Sequence, residues 1–287
     1  MDVTVIILTK NEELNIESCI LSTKDFAQRI VVVDSGSTDK TCEIATNMGA
    51  DVYVHPFENY SKQFNWALDH VDIQTKWTFR LDADEYLTAD LCEELSELMV
   101  KHDQDEVNGI TMEACLVFLG KKLKHGCPNK RKLMLFKTGL ARIEDRKMDE
   151  HTVLLKGTSV SCKNRFIHHD FKNLDLWIKK LNWYATREMQ DYFDFTNRQE
   201  SDYDLMRDSK IKNTRKKKFG FYYRLPPFVR CQALFIYNYI FRLGFLDGKE
   251  GLIYNYMYHM WYRSLVDAKI LEQKKFEAPF EETGDLK

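Results

Sequence analysis

Several features that would identify a class of protein at once are missing from this sequence. Its seven cysteines include no CxxC pair, and their odd number and scattered positions argue against a disulfide framework and against a zinc site. Reduced thiols are typical of cytosolic proteins, so we expect a cytoplasmic location. The 42 basic and 44 acidic residues give a formal net charge of -2, and no overall electrostatic field indicates nucleic acid as a partner.

Long apolar runs are missing as well. The N-terminal run in "MDVTVIILTK" ends at Leu8 and follows no basic segment, which makes it too short for a secretory signal, and we expect an unexported protein. Towards the C-terminus, Arg230, Gln232, Asn238 and Arg242 interrupt every apolar stretch of the length that a bilayer requires. The sequence therefore predicts no transmembrane span.

The N-terminal third of the sequence does contain a regular alternation of strand and helix patterns. The β-branched runs "VTVIILT" and "RIVVVD" are typical of central strands in a parallel sheet, and "ADVYVHPF", "SKQFNWALDHV" and "KWTFRL" continue as strand, helix and strand. This alternation predicts βαβ units in a doubly wound α/β sheet. Residues 107–170 are predicted to add antiparallel strands to the sheet, and residues 173–200 to form a helix.

Acidic side chains gather where the predicted strands end. Asp34 follows the second strand, and Asp82 and Asp84 follow the fourth in "FRLDADEYLT". Ligands of open α/β sheets bind beyond the carboxyl ends of the strands, and a spacing of two directs both side chains of "DAD" to one side of an extended chain. Carboxylates with substrate phosphates commonly hold Mg²⁺ or Mn²⁺. The alternative is a polar turn that caps the next helix, and the spacing by itself favours neither.

The order and spacing of these motifs resemble a known family. The absence of G-x-x-x-x-G-K-[ST] and G-x-G-x-x-G argues against a P-loop nucleoside triphosphatase and a Rossmann-type dinucleotide site. By contrast, the sequence resembles family 2 glycosyltransferases in the order of five segments. They are "VIILTKNEE", "IVVVDSGSTDKT", "GADVYVHPF", "QFNWAL" and "RLDADE". The resemblance extends through "DEH" at 149–151, "IHHDFKNLDLWIKKLNWYATRE" at 167–188 and "LGFLDGKEGL" at 243–252 to the subgroup that includes lipopolysaccharide-core glucosyltransferases. It implies the GT-A fold, a Rossmann-like mixed sheet flanked by helices, with a C-terminal helical extension.

The resemblance also implies a binding site for a UDP-sugar. The loop after the first strand and Asp34 would hold uracil and ribose, and a carboxylate can accept hydrogen bonds from both. For Asp34 the alternative is an Asx-type turn. Gln63 belongs to a helix that would pack over the nucleotide cleft, and Asp82 would lie near the ribose and the sugar. The residues implied around the nucleotide are thus Thr9, Asn11, Glu12, Asp34, Gln63 and Asp82.

Metal binding and proton abstraction are assigned by the same resemblance. Asp84 would bind Mn²⁺ or Mg²⁺ directly, and His168 would complete the metal or diphosphate site, since a neutral imidazole suits Mn²⁺. A purely structural role is the alternative for His168. Inverting transfer needs a base that takes the proton of the acceptor hydroxyl as it attacks the anomeric carbon. The segment "MDEH" offers Glu150 and Asp149, of which Glu150 matches the subgroup better.

Basic and aromatic residues are interleaved in "RKKKFGFYYRLPPFVR". Such a pattern suits a bilayer interface with anionic headgroups, and it would also suit single-stranded nucleic acid. We expect a membrane rather than nucleic acid, because Tyr-rich apolar helices follow and because the subgroup it resembles commonly uses lipid-linked acceptors. The alternative is a solvated charge run followed by helices that pack on the main domain or on a second copy, as in a homo-oligomer.

Together these observations predict a metal-dependent inverting glycosyltransferase. It would move a sugar, glucose as the first expectation, from a UDP-sugar to a saccharide or lipid-linked saccharide in cell-surface polysaccharide or lipopolysaccharide biosynthesis. Residues 1–205 would form the catalytic domain, and residues 206–287 an extension associated with the cytoplasmic face of the inner membrane or with a second subunit. The alternatives are UDP-GlcNAc or UDP-galactose as donor, a non-catalytic scaffold, and a nucleotidyltransferase, which should carry a Gly/Arg/Lys-rich loop in place of "TKNEELN".

Overall fold

The computed structural model describes residues 1–127, 131–144, 151–169, 173–197 and 220–276. These residues belong to two compact units. The first unit comprises residues 1–117 and 129–170, and the second unit comprises residues 118–128 and 171–286. The domain boundary predicted between residues 205 and 206 lies outside the described residues, so those domain limits stay a prediction.

Strands and helices alternate through the N-terminal part of the chain. In order, the elements are β1 Val3–Thr9, α1 Ile16–Thr23, β2 Arg29–Asp34, α2 Thr41–Asn47, β3 Asp51–Val54, α3 Tyr60–His70, β4 Trp77–Asp82, β5 Glu85–Tyr86, α4 Ala89–Lys101, β6 Val107–Phe118, β7 Lys121–Lys122, β8 Arg131–Lys137, β9 Ala141–Ile143, β10 Thr152–Leu154 and β11 Thr158–His168.

The main sheet has the strand order β3-β2-β1-β4-β8-β6-β11-β5. Strands β3, β2, β1 and β4 are parallel, as the βαβ pattern predicts, and β8 runs antiparallel between β4 and β6. We expected only antiparallel strands after residue 107, and for β11 this was wrong: it pairs in parallel with β6. The reason is topological, because β8 fills one side of β6 and the chain returns past it to reach the other side.

Both faces of the sheet are buried, which explains the unbroken apolar runs of its central strands. Val5 and Ile7 of β1 point to one face and pack with residues of α1 and α4, whereas Ile6 points to the other face and packs with Phe64 of α3. The predicted α/β fold class, a mixed sheet flanked by helices with a helical region at the C-terminal end, is confirmed.

The second unit is helical. Its elements are α5 Leu174–Asn197, a 3₁₀ turn Tyr222–Arg224, α6 Val229–Ile236 with a π-helical continuation Tyr237–Phe241, a 3₁₀ turn Gly244–Asp247, α7 Gly248–Asn255 with a π-helical continuation Tyr256–Trp261, and α8 Tyr262–Phe276. Among the described residues, no helix combines the length and the apolar character needed to cross a bilayer.

Buried charges join the helices of the second unit. Glu188 of α5 is 3% exposed and accepts hydrogen bonds from the hydroxyls of Tyr223 and Tyr262 and from Arg263. Arg230 of α6 and Asp267 of α8 form a second buried pair. Since an unpaired buried charge is costly, these pairs fix which helix faces meet.

The motif "LGFLDGKEGL" stabilises a loop of the same unit. The carboxylate of Asp247 accepts hydrogen bonds from the backbone N–H groups of Lys124 (2.9 Å) and His125 (2.8 Å). The next carbonyl, that of Gly126, pairs with Nε2 of His259 at 3.1 Å, and burial lowers the pKa of His259 to about 4. The imidazole is therefore neutral at physiological pH, and its Nε2–H donates a hydrogen bond to that carbonyl.

Candidate functional site

Three polar strand ends meet at one edge of the parallel part of the sheet. In the strand ladder Thr9 of β1 lies opposite Asp34 of β2, and the residue before it, Leu8, lies opposite Asp82 of β4. Because the three strands are parallel and in this register, their carboxyl ends are level. The edge is where ligands of open α/β sheets bind.

Asp34 is enclosed by hydrogen bonds from Thr9 of β1 and from its own loop. Its Oδ1 accepts from the hydroxyls of Thr9 (2.8 Å) and Ser37 (2.5 Å), and its Oδ2 accepts from the backbone N–H groups of Gly36 (2.8 Å) and Ser37 (2.6 Å). Burial by itself would raise the pKa of Asp34, but the bonds from Ser37 and Thr9 hold it below its ordinary value. A carboxylate has about four acceptor positions. Asp34 is 1% exposed and uses them on the protein, so direct contact with a ligand requires one of these bonds to be exchanged.

The loop after β1 is bonded to the loop after β2. Asn11 has a left-handed backbone with φ of 52°, and its Oδ1 accepts from the backbone N–H of Thr38 at 2.9 Å. The backbone N–H of Glu12 donates to Thr41 Oγ1 at 2.8 Å, and the Nζ of Lys10 donates to two carbonyls of the β2 loop. The two loops therefore form one structure, in which Asn11 and Glu12 are bonded to residues of the segment that follows Asp34.

Gln63 connects α3 to the same region. Its side chain is fully buried, its Nε2 donates to the Oγ of Ser35 (3.2 Å) and to the carbonyl of His55 (3.1 Å), and its Oε1 pairs with His55 Nδ1 at 2.8 Å. A buried amide with these partners fixes the position of the helix relative to the loop after β2.

At the end of β4 the structure brings together charged groups that the sequence keeps apart. The Oδ1 of Asp82 accepts from the hydroxyl of Tyr60 at 2.7 Å, and its Oδ2 lies 3.8 Å from the Nζ of Lys132. The same ammonium donates to Oε1 of Glu85 at 2.6 Å. Glu85 is 0% exposed, and its Oε2 accepts from the backbone N–H of Asp82 at 3.1 Å.

Burial and neighbouring charge act in opposite directions on this cluster. Burial raises the pKa of Glu85, while the ammonium of Lys132 counteracts part of that rise. Burial alone would lower the pKa of Lys132, but Glu85 and Asp82 outweigh it, so the net shift is upward and the lysine stays protonated. A further cation, Arg80, is 5% exposed and lies over the ring of Tyr60 at 4.9 Å from its centroid.

Asp84 and His168 lie beside each other near this cluster, and the charges of both act on Glu85. The Oδ2 of Asp84 lies 3.5 Å from the Nε2 of His168, and their side chains are 18% and 23% exposed. Backbone pairing holds the segments that carry the two residues together. His168 lies opposite Glu85 in the β11–β5 ladder, and the N–H of His169 donates to the carbonyl of Asp84 at 2.8 Å. Residues 83–84 form a turn rather than extended chain, and the convergence of the two carboxylates of "DAD" on one cation stays a prediction.

The donor atoms of this pair fit one shared divalent cation. Metal–ligand distances of about 2.1 Å allow two ligand atoms to be up to about 4.2 Å apart, and Mg²⁺ sites commonly take only one or two protein carboxylates with the rest from substrate phosphates and water. Within the described ranges, no group of three or more His, Cys, Asp or Glu side chains is placed to hold a metal ion. The pair is therefore a partial site, which fits a cation that also binds the substrate.

The helix-capping alternative for "DADE" was wrong. Helix α4 is capped by Thr88, whose hydroxyl accepts from the N–H of Leu91 at 3.3 Å. Asp149 and Glu150, the predicted bases, lie outside the described residues. The described residues on either side of them, Glu144 and His151, pair through Glu144 Oε1 and His151 Nδ1 at 2.9 Å.

Sequence reasoning missed the partners of the predicted acids. Lys132 is on an antiparallel strand, and nothing in "NKRKLMLFK" distinguishes it from the neighbouring basic residues. Glu85 adjoins the recognised motif, but its burial depends on β11. Tyr60 follows the cap of α3, where a sequence pattern gives no indication that its hydroxyl reaches β4.

An α/β sheet with acids at the carboxyl ends of its parallel strands defines the general class of ligand-binding α/β proteins. Residues 4–151 match the profile of Glycosyl transferase family 2. The chain belongs to glycosyl transferase family 2, which confirms the resemblance seen in its motifs.

Similar proteins agree with this assignment. The chain is 26% identical over 198 residues to an uncharacterised glycosyltransferase of Rickettsia typhi, covering 66% of this chain and 67% of that protein. It is 25% identical over 266 residues to the lipopolysaccharide core biosynthesis glycosyltransferase LpsC of Rhizobium meliloti, covering 90% of each chain. The match to a Rickettsia bellii glycosyltransferase spans only 34% of that protein.

Among solved structures, the chain resembles glucosyl-3-phosphoglycerate synthase from Mycobacterium tuberculosis, crystallised with Mn²⁺, UDP and glucosyl-3-phosphoglycerate. The identity is 21% and the TM-score 0.32, over 40% of this chain and 44% of that one. So partial a likeness has no bearing on the activity of this protein.

Proposed function

We propose that this protein is an inverting glycosyltransferase that moves a sugar, with glucose as the first candidate, from a UDP-sugar to a saccharide acceptor in lipopolysaccharide biosynthesis. Family membership supports transfer of a sugar, and the match to LpsC over nine-tenths of both chains supports a lipopolysaccharide acceptor. The observation that carries the proposal is the position of the Asp84–His168 pair, which lies next to Asp82 at the carboxyl edge of the sheet.

The loops after β1 and β2 would hold the nucleoside. Thr9 and Asp34 brace the two loops against each other, and Asn11 and Glu12 lie on the first of them. The low pKa of Asp34 keeps it ionised, so it remains an acceptor for the backbone that shapes the base and ribose pocket. Gln63 would fix α3 beside that pocket.

The end of β4 would hold the sugar and the diphosphate. Asp82 is oriented by Tyr60 and Lys132, which leaves it as a hydrogen-bond acceptor suited to ribose or sugar hydroxyls. Asp84 and His168 would bind Mn²⁺ or Mg²⁺ together with the diphosphate. When bound, such a cation stabilises negative charge on the departing UDP. Lys132 also contributes a fixed positive charge to this end of the site.

The acceptor hydroxyl needs a base on the opposite side of the anomeric carbon from the leaving group. We propose Glu150 for this role in preference to Asp149. We expect Glu150→Gln to lower turnover about 10²- to 10⁴-fold, the usual contribution of a general base, while UDP binding is retained. Asp149→Asn is the matched control, and full turnover in Glu150→Gln together with a loss in Asp149→Asn would reassign the base.

The donor site is tested by thermal unfolding with UDP in the presence and absence of Mn²⁺. A ligand at about 100 times its Kd stabilises the folded state by about 2.7 kcal/mol. We expect Asp84→Asn and His168→Gln to lose the Mn²⁺-dependent part of this stabilisation, whereas Asp25→Asn, an exposed acid on the loop after α1, should keep it. Absence of any shift with millimolar UDP and Mn²⁺ would contradict the proposal.

The sugar and the stereochemistry require direct measurement of transfer. UDP-glucose, UDP-GlcNAc and UDP-galactose should be compared for UDP release, and the anomeric configuration of the product should be read by NMR. An α-linked donor should give a β-linked product if transfer inverts. A product with the anomeric configuration of the donor would refute inversion without affecting the donor-site proposal.

We also propose a cytoplasmic location. All seven cysteines fall within the described residues, and no two of them form a disulfide. Buried thiols such as Cys19, whose pKa is raised by burial, are typical of proteins in reducing compartments. Fractionation of cells that express the full chain, with and without washing of membranes by high salt, tests this location.

A further inference from the structure

The second unit carries large apolar side chains on its surface. Along α6 and its π-helical continuation, exposed apolar positions lie about one or two helical turns apart and therefore share one helix face. They are Val229 (57% exposed), Ile236 (48%), Tyr237 (55%), Ile240 (48%) and Phe241 (73%). We call these five residues the apolar face.

Elements packed against α6 also expose apolar side chains. Ring contacts link α6 and its continuation to Tyr256 (from Phe235, 6.2 Å between centroids) and to Phe245 (from Tyr239, 6.3 Å). The apolar side chains exposed on these adjoining elements are Phe245 (43%), Leu246 (55%), Leu252 (43%), Ile253 (38%) and Tyr256 (47%). Exposed aliphatic and aromatic side chains clustered in this way mark an interaction surface rather than ordinary solvent-facing residues.

Exposed cations outnumber exposed acids along this stretch of the second unit. Within residues 220–256 the exposed or half-exposed cations are Arg224, Arg242 and Lys249. Of the acids in the same stretch, Asp247 is 4% exposed, whereas the side chain of Glu250 is 33% exposed and lies 3.2 Å from the Nζ of Lys121, a further exposed cation. This part of the second unit therefore combines exposed apolar side chains with an excess of positive charge.

We propose that the apolar face lies on the surface of an anionic lipid bilayer. Tyr and Phe side chains with nearby Arg and Lys are the composition of interfacial helices, whose apolar side enters the boundary between headgroups and acyl chains. Arg224, Arg242 and Lys249 then meet lipid phosphates. A second copy of the chain is a poorer occupant, because a two-fold interface brings each patch against itself and these cations against cations.

Flotation of the full-length protein with lipid vesicles tests the apolar part of the proposal. Vesicles in which about a third of the lipid is phosphatidylglycerol should bind the protein, and those of pure phosphatidylcholine should bind it much less. We expect Phe241→Ser to lower the partition coefficient about tenfold, since burying a large apolar side chain is worth about 1.5–3 kcal/mol at full burial. Val100→Ser, a change at a 71% exposed position on α4, is the control and should bind as the unmodified protein does.

The role of the basic side chains in binding is tested by Lys249→Gln and Arg224→Gln. Each should weaken binding to the phosphatidylglycerol vesicles about fivefold, which corresponds to about 1 kcal/mol per basic residue, and should leave binding to phosphatidylcholine unchanged. Equal binding of Phe241→Ser and Val100→Ser would overturn the proposal. So would light scattering that shows a dimer in solution which Phe241→Ser converts to a monomer, because a second copy would then cover the face. Vesicle binding measures no sugar transfer, so its outcome is separate from that of the proposed function.

Discussion

Lys132 provides the sharpest test of how the acidic site is held together. Its Nζ lies 2.6 Å from Oε1 of Glu85 and 3.8 Å from Oδ2 of Asp82. The substitution Lys132→Met keeps the length of the side chain and removes the charge. Glu85, which is 0% exposed, then loses its cation while Asp82 and Asp84 remain nearby.

The expected loss follows from the burial of the two partners. Removing one partner of a buried ion pair costs about 3–5 kcal/mol. Because Lys132 is itself 26% exposed, we expect the lower end, about 3 kcal/mol of unfolding free energy near neutral pH. For a unit of this size that corresponds to a fall in Tm of roughly 6–12 °C.

The loss should depend on pH with a definite sign. The pKa of Glu85 is raised in the folded state, so its ionisation destabilises the fold as pH rises through that value. Removing Lys132 raises the pKa further, since the attraction that opposed the rise is gone. The variant should therefore be destabilised more at about pH 8 than at about pH 5, where Glu85 can take up a proton.

Thermal and urea unfolding at both pH values measure this effect. Glu85→Gln in the Lys132→Met background should restore most of the lost stability, because no buried charge is left uncompensated. Lys137→Met is the matched control on the same strand, since its Nζ donates to the carbonyl of Asp105 at 2.9 Å and lies over the Trp77 ring, away from Glu85 and Asp82. An equal loss at both pH values, or no recovery in the double variant, would refute the electrostatic role given to Lys132.

Two further predictions concern the loops of the two units. Asp34→Asn directs an amide towards backbone N–H donors and should cost about 1.5–3 kcal/mol in urea unfolding. Since the pKa of Asp34 is lowered in the folded state, this loss of unfolding free energy should be present at neutral pH and vanish as pH falls through that pKa. The control Asp25→Asn should show neither the loss nor its pH dependence. Gly126→Ala should destabilise the second unit by about 1–3 kcal/mol more than Gly120→Ala. Both glycines have positive φ, but only at Gly126 would a Cβ lie 2.8 Å from the carbonyl oxygen of Asn238. Similar unfolding free energies for the two glycine variants would contradict the close packing of that loop.

Much of the fold was predictable from local pattern. The alternation of β-branched runs and amphipathic helices in the N-terminal third predicts parallel strands with covered faces, and β1 to β4 form in that way. The acids after β2 and β4 were predictable as a cluster because parallel strands place their carboxyl ends on one edge. The direction of β11 was not predictable, since it depends on which side of β6 was already filled by β8.

The contacts made by the acidic side chains of the site could not all be predicted from the sequence. Asp34 forms the Asx-type turn that was its alternative, with Gly36 and Ser37, and also accepts from Thr9 of β1, whereas its contact with a nucleoside stays a prediction. Asp82 contacts Tyr60 and Lys132, and Asp84 lies beside His168, which the spacing of "DAD" does not indicate. Such outcomes depend on side chains that are distant in sequence, and no spacing rule encodes them.

The sequence by itself determined the α/β class, the family and the acids at the strand ends, because each depends on residue type at short spacing along the chain. Only the tertiary structure decided that Lys132 neutralises Glu85, that Asp84 pairs with His168 and that the apolar face of the second unit is exposed. Burial and ion pairing are properties of the space around a side chain, and that space is filled by residues from remote parts of the chain.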